Sequence, residues 1–203
     1  MNWLAHVLLS EPDIEFRMGN LLADVIKGQE RKGRSERFLL GVRCHQVIDN
    51  FTDYHPLVWR SRSYLRDDFH HFTGILLDIF HDHCLARNWH RFADVPLSQF
   101  THALYAELQE HIPTLPSLAA EVVARIIAED RLGSYRELAG IEQSLARLSR
   151  YLSHRLRRPV ALAPAVCHLK KHYAAIEGDF LEFFPDLRSH VSAWCGRQGG
   201  SRV

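Results

Sequence analysis

Apolar residues recur at helical spacing through most of the chain. Between about Ile14 and Lys27, the positions Ile14, Met18, Leu21, Leu22 and Val25 fall on compatible turns of one helix. Asp13 stands where an N-cap is needed, and Gly28 follows the last periodic residue. A polar, basic link from Gln29 to Ser35 leads to a second helix from Glu36 to Thr52, with His55-Pro56 marking its exit. Further helices fit Asp67 to Asp94, with Gly74 weakening its beginning, and Leu97 to His111, Leu115 to Ala128, Leu138 to Leu156 and Ala163 to Phe184. Pro113, Pro116, Pro159, Pro164 and Pro185 punctuate them. No stretch alternates apolar and polar residues with β-branched enrichment, and no repeat of fixed period is present. The pattern predicts an all-α fold, a single-domain helical bundle over residues 1–195 with a flexible tail over 196–203.

Charges interrupt this pattern where a core is expected. At about 100° per residue, Ile75, Asp78, Asp82, Leu85 and Trp89 share one helix face, so two carboxylates occupy a stripe of large hydrophobes. Burying unpaired carboxylates costs several kcal/mol, and a cation held between them relieves both the burial and the mutual repulsion. The other reading of the spacing is a pair of solvated acids, or acids paired with arginines. On the preceding helix Phe38, Val42, His45, Asp49 and Thr52 share a face, which again sets two metal-ligand types one turn apart. Antiparallel packing of the two helices brings such pairs together. Asp24 lies near a helix end beside Leu21, Leu22 and Val25, and His6 interrupts the apolar opening Trp3 to Leu9. Either can instead be a hydrogen-bonded core residue, which is what a lone histidine on an apolar face usually is. Oxygen-rich donors with one or two imidazoles suit Mn²⁺, Mg²⁺ or Fe²⁺. Such an ion activates water and neutralises charge on a phosphoryl group, so phosphoester hydrolysis is the natural reaction class. His70, His71 and His81 read as surface residues and receive no role.

Composition removes other classes. A length of 203 residues fits one domain, with 46% hydrophobic and 24% charged residues. The net charge of +1 gives no global attraction to nucleic acid or membrane, and neither is expected as a partner. The four cysteines form no CxxC pair, which fits a reducing cytoplasm. The opening segment lacks the basic start of a signal peptide, and no run of uncharged residues is long enough to span a bilayer. GxSxG, Walker-type and GxGxxG motifs are absent.

Longer strings of residues carry a resemblance. Met1-Asn2-Trp3-Leu4-Ala5-His6, Gly19-Asn20-Leu21-Leu22-Ala23-Asp24 with Lys27-Gly28, and His45-Gln46-Val47-Ile48-Asp49 resemble the acyl carrier protein phosphodiesterases. So do Thr52-Asp53, Asp78, Asp82-His83, Leu85, Trp89, Tyr173 and Phe183-Phe184-Pro185, so the likeness runs nearly the whole chain. It departs at Asp82-His83, the reverse of the His-Asp doublet of HD domains, at His70 and His71, where arginines are expected, and at Gln46, often basic in relatives.

The resemblance implies an HD-domain-like bundle and hydrolysis of the phosphodiester between 4′-phosphopantetheine and a serine of acyl carrier protein. Mn²⁺ is the favoured ion, with Mg²⁺ or Fe²⁺ as substitutes. The expected ligands are Asp24, His45, Asp49, Asp78 and Asp82 with His6 as an addition, and His83 is the candidate proton donor or a partner orienting a ligand. Acyl carrier protein is acidic, so a basic docking surface is expected, with Lys27, Arg31, Lys32, Arg34 and Arg37 first and groups at Arg60 to Arg66 and Arg147 to Arg158 next. Two other readings share these residues: an HD-type hydrolase of a nucleotide or other small phosphoester, and a non-catalytic helical adaptor for a carrier protein.

Overall fold

The computed structural model describes residues 1–199, and these contain helices and no strand. The all-α expectation holds. The chain opens with α1 (Trp3–Leu8), followed by α2 (Ile14–Leu21), whose N-terminus is capped where the Asp13 carboxylate accepts the Phe16 N–H at 2.8 Å. The helix expected from Ile14 to Lys27 therefore stops early. Residues 22–26 form a tight turn instead, held by Arg31, whose guanidinium donates to the carbonyls of Ala23 at 2.6 Å and Ile26 at 2.8 Å. These carbonyls have no helical partner downstream, and the guanidinium replaces it.

Next come α3 (Glu36–Tyr54), capped by Ser35, and α4 (Pro56–Ser63), with Pro56 at the first helical position. The segment expected as one helix from Asp67 to Asp94 is broken. It divides into α5 (Arg66–Phe69), a 3₁₀ turn over His70–Phe72 in which His70 takes φ +39°, α6 (Thr73–Arg87) and a second 3₁₀ turn over Trp89–Arg91. A non-glycine residue at positive φ cannot continue a right-handed helix. Helices α7 (Leu97–His111), α8 (Ser117–Ala128), α9 (Arg131–Ser134) and α10 (Leu138–Leu156) follow, the first and last with the expected bounds.

The last element, α11 (Ala165–Gly199), is kinked at His172 and continues past Pro185 through Gly196, where the tail was expected to begin. A proline inside a helix costs about 3 kcal/mol. Complete burial of Phe183, Phe184, Leu187 and Val191 on the same helix offsets that, at about 1.5–3 kcal/mol for each side chain. The rest of the expected tail, residues 200–203, lies outside the described residues. The core centres on Phe16, Phe80, Phe180, Phe183 and Phe184. Buried Asp179 of α11 accepts hydrogen bonds from Arg60 and from Ser61 Oγ at 2.7 Å, which ties α4 to the bundle. All four cysteines are free thiols. No helix among the described residues is long and apolar enough to cross a membrane.

Candidate metal centre

Two glycines set the position of the site. A Cβ on Gly19 would stand 2.0 Å from the carbonyl oxygen of Phe38, and a Cβ on Gly41 would stand 2.0 Å from that of Phe16. Only glycine permits α2 and α3 to touch backbone to backbone here. This contact lays Asn20 directly against the face of α3 that carries His45.

Asn20 is fully buried and orients two imidazoles at once. Its side-chain nitrogen donates to the His6 carbonyl and to Ser10 Oγ, both at 2.9 Å, so its Oδ1 is left to accept from His6 Nδ1 at 2.8 Å. Its backbone carbonyl lies 2.9 Å from His45 Nδ1, and a carbonyl only accepts, so that nitrogen carries the proton as well. Both rings thereby present Nε2 toward Asp49, with His6 Nε2 3.2 Å from Oδ1 and His45 Nε2 3.0 Å from Oδ2. The rings stack with centroids 4.1 Å apart. The ligand atoms of His6, His45 and Asp49 all lie within 4.8 Å of one another.

Around this triad stand two more acids and one cation. Asp24 Oδ2 is 3.5 Å from His45 Nε2, with its carboxylate largely in solvent. Asp78 Oδ1 is 3.1 Å from the Met1 ammonium, which also lies 3.5 Å from Asp49 Oδ1. Burial disfavours charge on His45, but Asp24 and Asp49 outweigh it and raise its pKa to about 9. Burial acts to raise Asp49, and His45 and His6 override it and hold the carboxyl well below the usual range. Hydrogen bonding to His45 does the same for Asp24. The buried Met1 ammonium is kept charged by Asp78 and Asp49 against its desolvation.

His6 supplies the test of fit for an ion. Burial lowers its pKa, and with Nδ1–H given to Asn20 the neutral ring has a lone pair on Nε2. That lone pair faces two further acceptors, the Met1 carbonyl and Asp49 Oδ1, each at 3.2 Å. Three electron-rich atoms turned toward one point are completed by a cation. Anchoring of the opposite ring nitrogen is also how metal-binding histidines are held. The donor set fits a divalent ion.

Five of the expected ligands, Asp24, His45, Asp49, Asp78 and His6, are brought together. Asp82 is not in the triad. It is completely buried, and its carboxylate accepts the backbone N–H groups of Leu4 at 2.7 Å and Ala5 at 3.2 Å, so its oxygens serve the start of α1. His83 points elsewhere too. Its Nδ1 lies 2.6 Å from the Tyr135 carbonyl, and burial lowers its pKa. His81, read from sequence as a surface residue, is buried between the rings of Phe180 and Phe183. Burial first, then the Met1 ammonium and Arg62, push its pKa down to about 3. Asn20 was visible in sequence only as part of a family motif.

In the expected docking cluster, Lys27 pairs with Asp24 at 3.1 Å and Lys32 is exposed. Arg31 braces the 22–26 turn, Arg34 donates to the Thr114 carbonyl at 3.0 Å, and Arg37 is bound to Glu11 at 2.6 Å.

Comparison with known proteins adds a family. Residues 1–187 match a family model described as acyl carrier protein phosphodiesterase. The chain is 32% identical over 194 residues to the acyl carrier protein phosphodiesterase of Yersinia enterocolitica, covering 94% of this chain and 97% of the relative. It is 30% identical over 190 residues to that of Pectobacterium atrosepticum, covering 92% and 95%. An Escherichia coli O157:H7 protein of the same name is 30% identical over 193 residues, covering 95% and 98%. No solved structure matches the chain.

Proposed function

Because the chain belongs to the acyl carrier protein phosphodiesterase family, whose members are phosphoric diester hydrolases, we propose that it removes 4′-phosphopantetheine from holo-acyl carrier protein. The products are apo-carrier protein and 4′-phosphopantetheine. Water adds to phosphorus, the bond to the serine oxygen breaks, and a proton passes to that oxygen. The observation that carries the reading is the convergence of His6 Nε2, His45 Nε2 and Asp49 beside Asp24 and Asp78.

His6, His45 and Asp49 would hold a divalent ion, Mn²⁺ first and Mg²⁺ or Fe²⁺ next on the chemistry of the donors. When bound, the ion supplies Lewis acidity and positive charge toward a phosphoryl group. The chain's own residues do the rest. Asn20 holds both imidazoles through Nδ1–H, which leaves Nε2 of His6 free and turns Nε2 of His45 toward the same point, where an ion would take the place of its proton. Asp24, with 78% of its side chain exposed, and Asp49, with 39%, leave the triad open on one side to a macromolecular substrate. Lys27 borders that open side through its pair with Asp24, Lys32 is exposed five residues later in the chain, and both suit an acidic protein partner. His83 is not assigned as the acid, since its free nitrogen accepts.

The test is the mass of holo-carrier protein after incubation with the chain and Mn²⁺, with and without a chelator, beside a panel of nucleotides. Loss of one 4′-phosphopantetheine, abolished by chelation and by Asp49→Asn, is the expected result. An unchanged carrier mass with turnover of a nucleotide would replace the substrate, and release that persists in chelator would remove the ion.

A further inference from the structure

Where α6, the start of α10 and the first half of α11 meet, there is an open pocket of about 630 Å³. This volume falls in the range of small-molecule pockets, about 300–1,000 Å³. None of His6, Asp24, His45, Asp49 and Asp78 lines it, so it is separate from the acid and histidine cluster.

One of its walls is a histidine with an unused acceptor. His83 is 3% exposed and lines the cavity. Its Nδ1–H is committed to the Tyr135 carbonyl at 2.6 Å, and its ring meets that of Tyr173 edge-on at 5.7 Å. Nε2 therefore carries a lone pair and has no hydrogen-bond partner among the described residues. Nε2 is thus an open acceptor in the pocket wall, able to take an O–H or N–H of an occupant in place of water.

The mouth is cationic. Arg87, Arg136 and Lys170 line it against a single lining acid, Glu137. Glu137 is drawn to Arg136 at 3.4 Å, and Lys170 reaches outward to Glu142 at 3.8 Å. Arg87 makes no ion pair among the described residues. An exposed, unpaired guanidinium favours a phosphate or carboxylate.

We propose that this cavity is a second site of the protein, one that binds a phosphorylated small molecule bearing O–H or N–H donors. The donor enters to His83 Nε2 and the phosphate is held at the mouth by Arg87, Arg136 and Lys170. The occupant supplied by the reaction proposed above is its own product, 4′-phosphopantetheine, which carries a phosphomonoester, a hydroxyl and amide N–H groups. The identity of the occupant rests on that reading, and the site does not.

The experiment is calorimetric titration of the full chain, with and without EDTA, using 4′-phosphopantetheine, pantetheine and inorganic phosphate as probes. 4′-Phosphopantetheine is expected to bind in EDTA, and pantetheine and phosphate each at least tenfold more weakly. The exposed double variant Arg87→Ala/Lys170→Ala, which removes no core packing, and His83→Ala, checked for folding by circular dichroism, should each weaken binding at least tenfold. Absence of binding, binding that disappears in EDTA, or equal binding by the folded double variant would overturn the proposal. Phosphate binding as tight as 4′-phosphopantetheine, or sulfate competing equally, would reduce the site to a surface anion trap and overturn it as well. Carrier-protein hydrolysis is a separate readout, so failure of either leaves the other standing.

Discussion

The Asp82 carboxylate on α6 accepts the backbone N–H of Leu4 at 2.7 Å, across 78 residues of chain, and so caps α1 from another helix. The local cap position, Asn2, makes no side-chain bond to the helix. One turn earlier on the same stripe, Asp78 takes the Met1 ammonium. Two acids of one helix face thus clamp donors of one N-terminal segment, and that segment carries His6 into the candidate metal centre.

The first prediction concerns Asp82→Asn. An amide has one acceptor oxygen, so either the Leu4 or the Ala5 N–H loses its partner, at about 1–3 kcal/mol. The gap should also depend on pH. Burial, against the two backbone donors, pushes the Asp82 pKa up to about 7 from 3.8, so its contribution is full below pH 3.8 and is withdrawn as pH rises through about 7. Asn does not titrate, and the difference in urea stability between wild type and variant, measured in EDTA, should narrow from pH 4 to pH 8. A difference that widens would contradict this account of the carboxyl.

The second concerns Asn20→Ala. His6 would lose the acceptor for Nδ1–H, while His45 keeps its own, because that one is a backbone carbonyl. Loss of a partner that orients a ligand lowers metal affinity about 10–100-fold. Mn²⁺ titration should show this loss for Asn20→Ala. An affinity within threefold of wild type would take Asn20 out of the site.

The third compares two glycines. Gly41→Ala drives a methyl to 2.0 Å from the Phe16 carbonyl oxygen, so α2 and α3 must separate. Overpacking of this kind costs about 1–3 kcal/mol, and a chain of this length loses about 2–4 °C in Tm per kcal/mol. Gly178→Ala on α11 meets nothing within 4 Å and should leave Tm level or raise it. Gly41→Ala should also weaken Mn²⁺ binding, because the 2.9 Å contact of His45 with Asn20 depends on the same crossing. Equal Tm values for the two variants would remove the close approach as the reason for glycine at position 41.

Periodicity carried the long amphipathic helices, and α7 and α10 end where the pattern ends. It carried less where tertiary contacts overrule local preference. The pattern stops at Pro185, whereas the apolar residues after it are buried strongly enough to continue α11. It continues past Leu21, whereas Arg31 holds the turn that ends α2. In the site, the His45 and Asp49 pairing follows from one helix turn and was legible. Asp82 satisfies the same spacing rule as Asp78, yet its oxygens serve backbone donors on a segment that spacing cannot place. Asn20 has no charge and no ligand atom in the cluster, so only the folded contact reveals that it orients both rings.

The last prediction separates docking from structure among the basic residues after α2. Arg31 holds the Ala23 and Ile26 carbonyls, and Arg37 holds Glu11, so charge reversal at either breaks an internal bond. Lys27 borders Asp24 at 3.1 Å, and reversal there would add a negative charge beside the candidate metal centre. Lys32 is exposed and makes no ion pair among the described residues, so its contribution to an acidic partner is long-range and screened by salt. Lys32→Glu should raise KM for holo-carrier protein several-fold at low salt, with kcat and Tm unchanged, and the difference from wild type should shrink as ionic strength rises. Arg31→Glu should lower Tm and Mn²⁺ affinity together, because the 22–26 turn carries Asp24. If Lys32→Glu leaves KM and its salt dependence untouched, the carrier protein approaches the candidate metal centre over a different face.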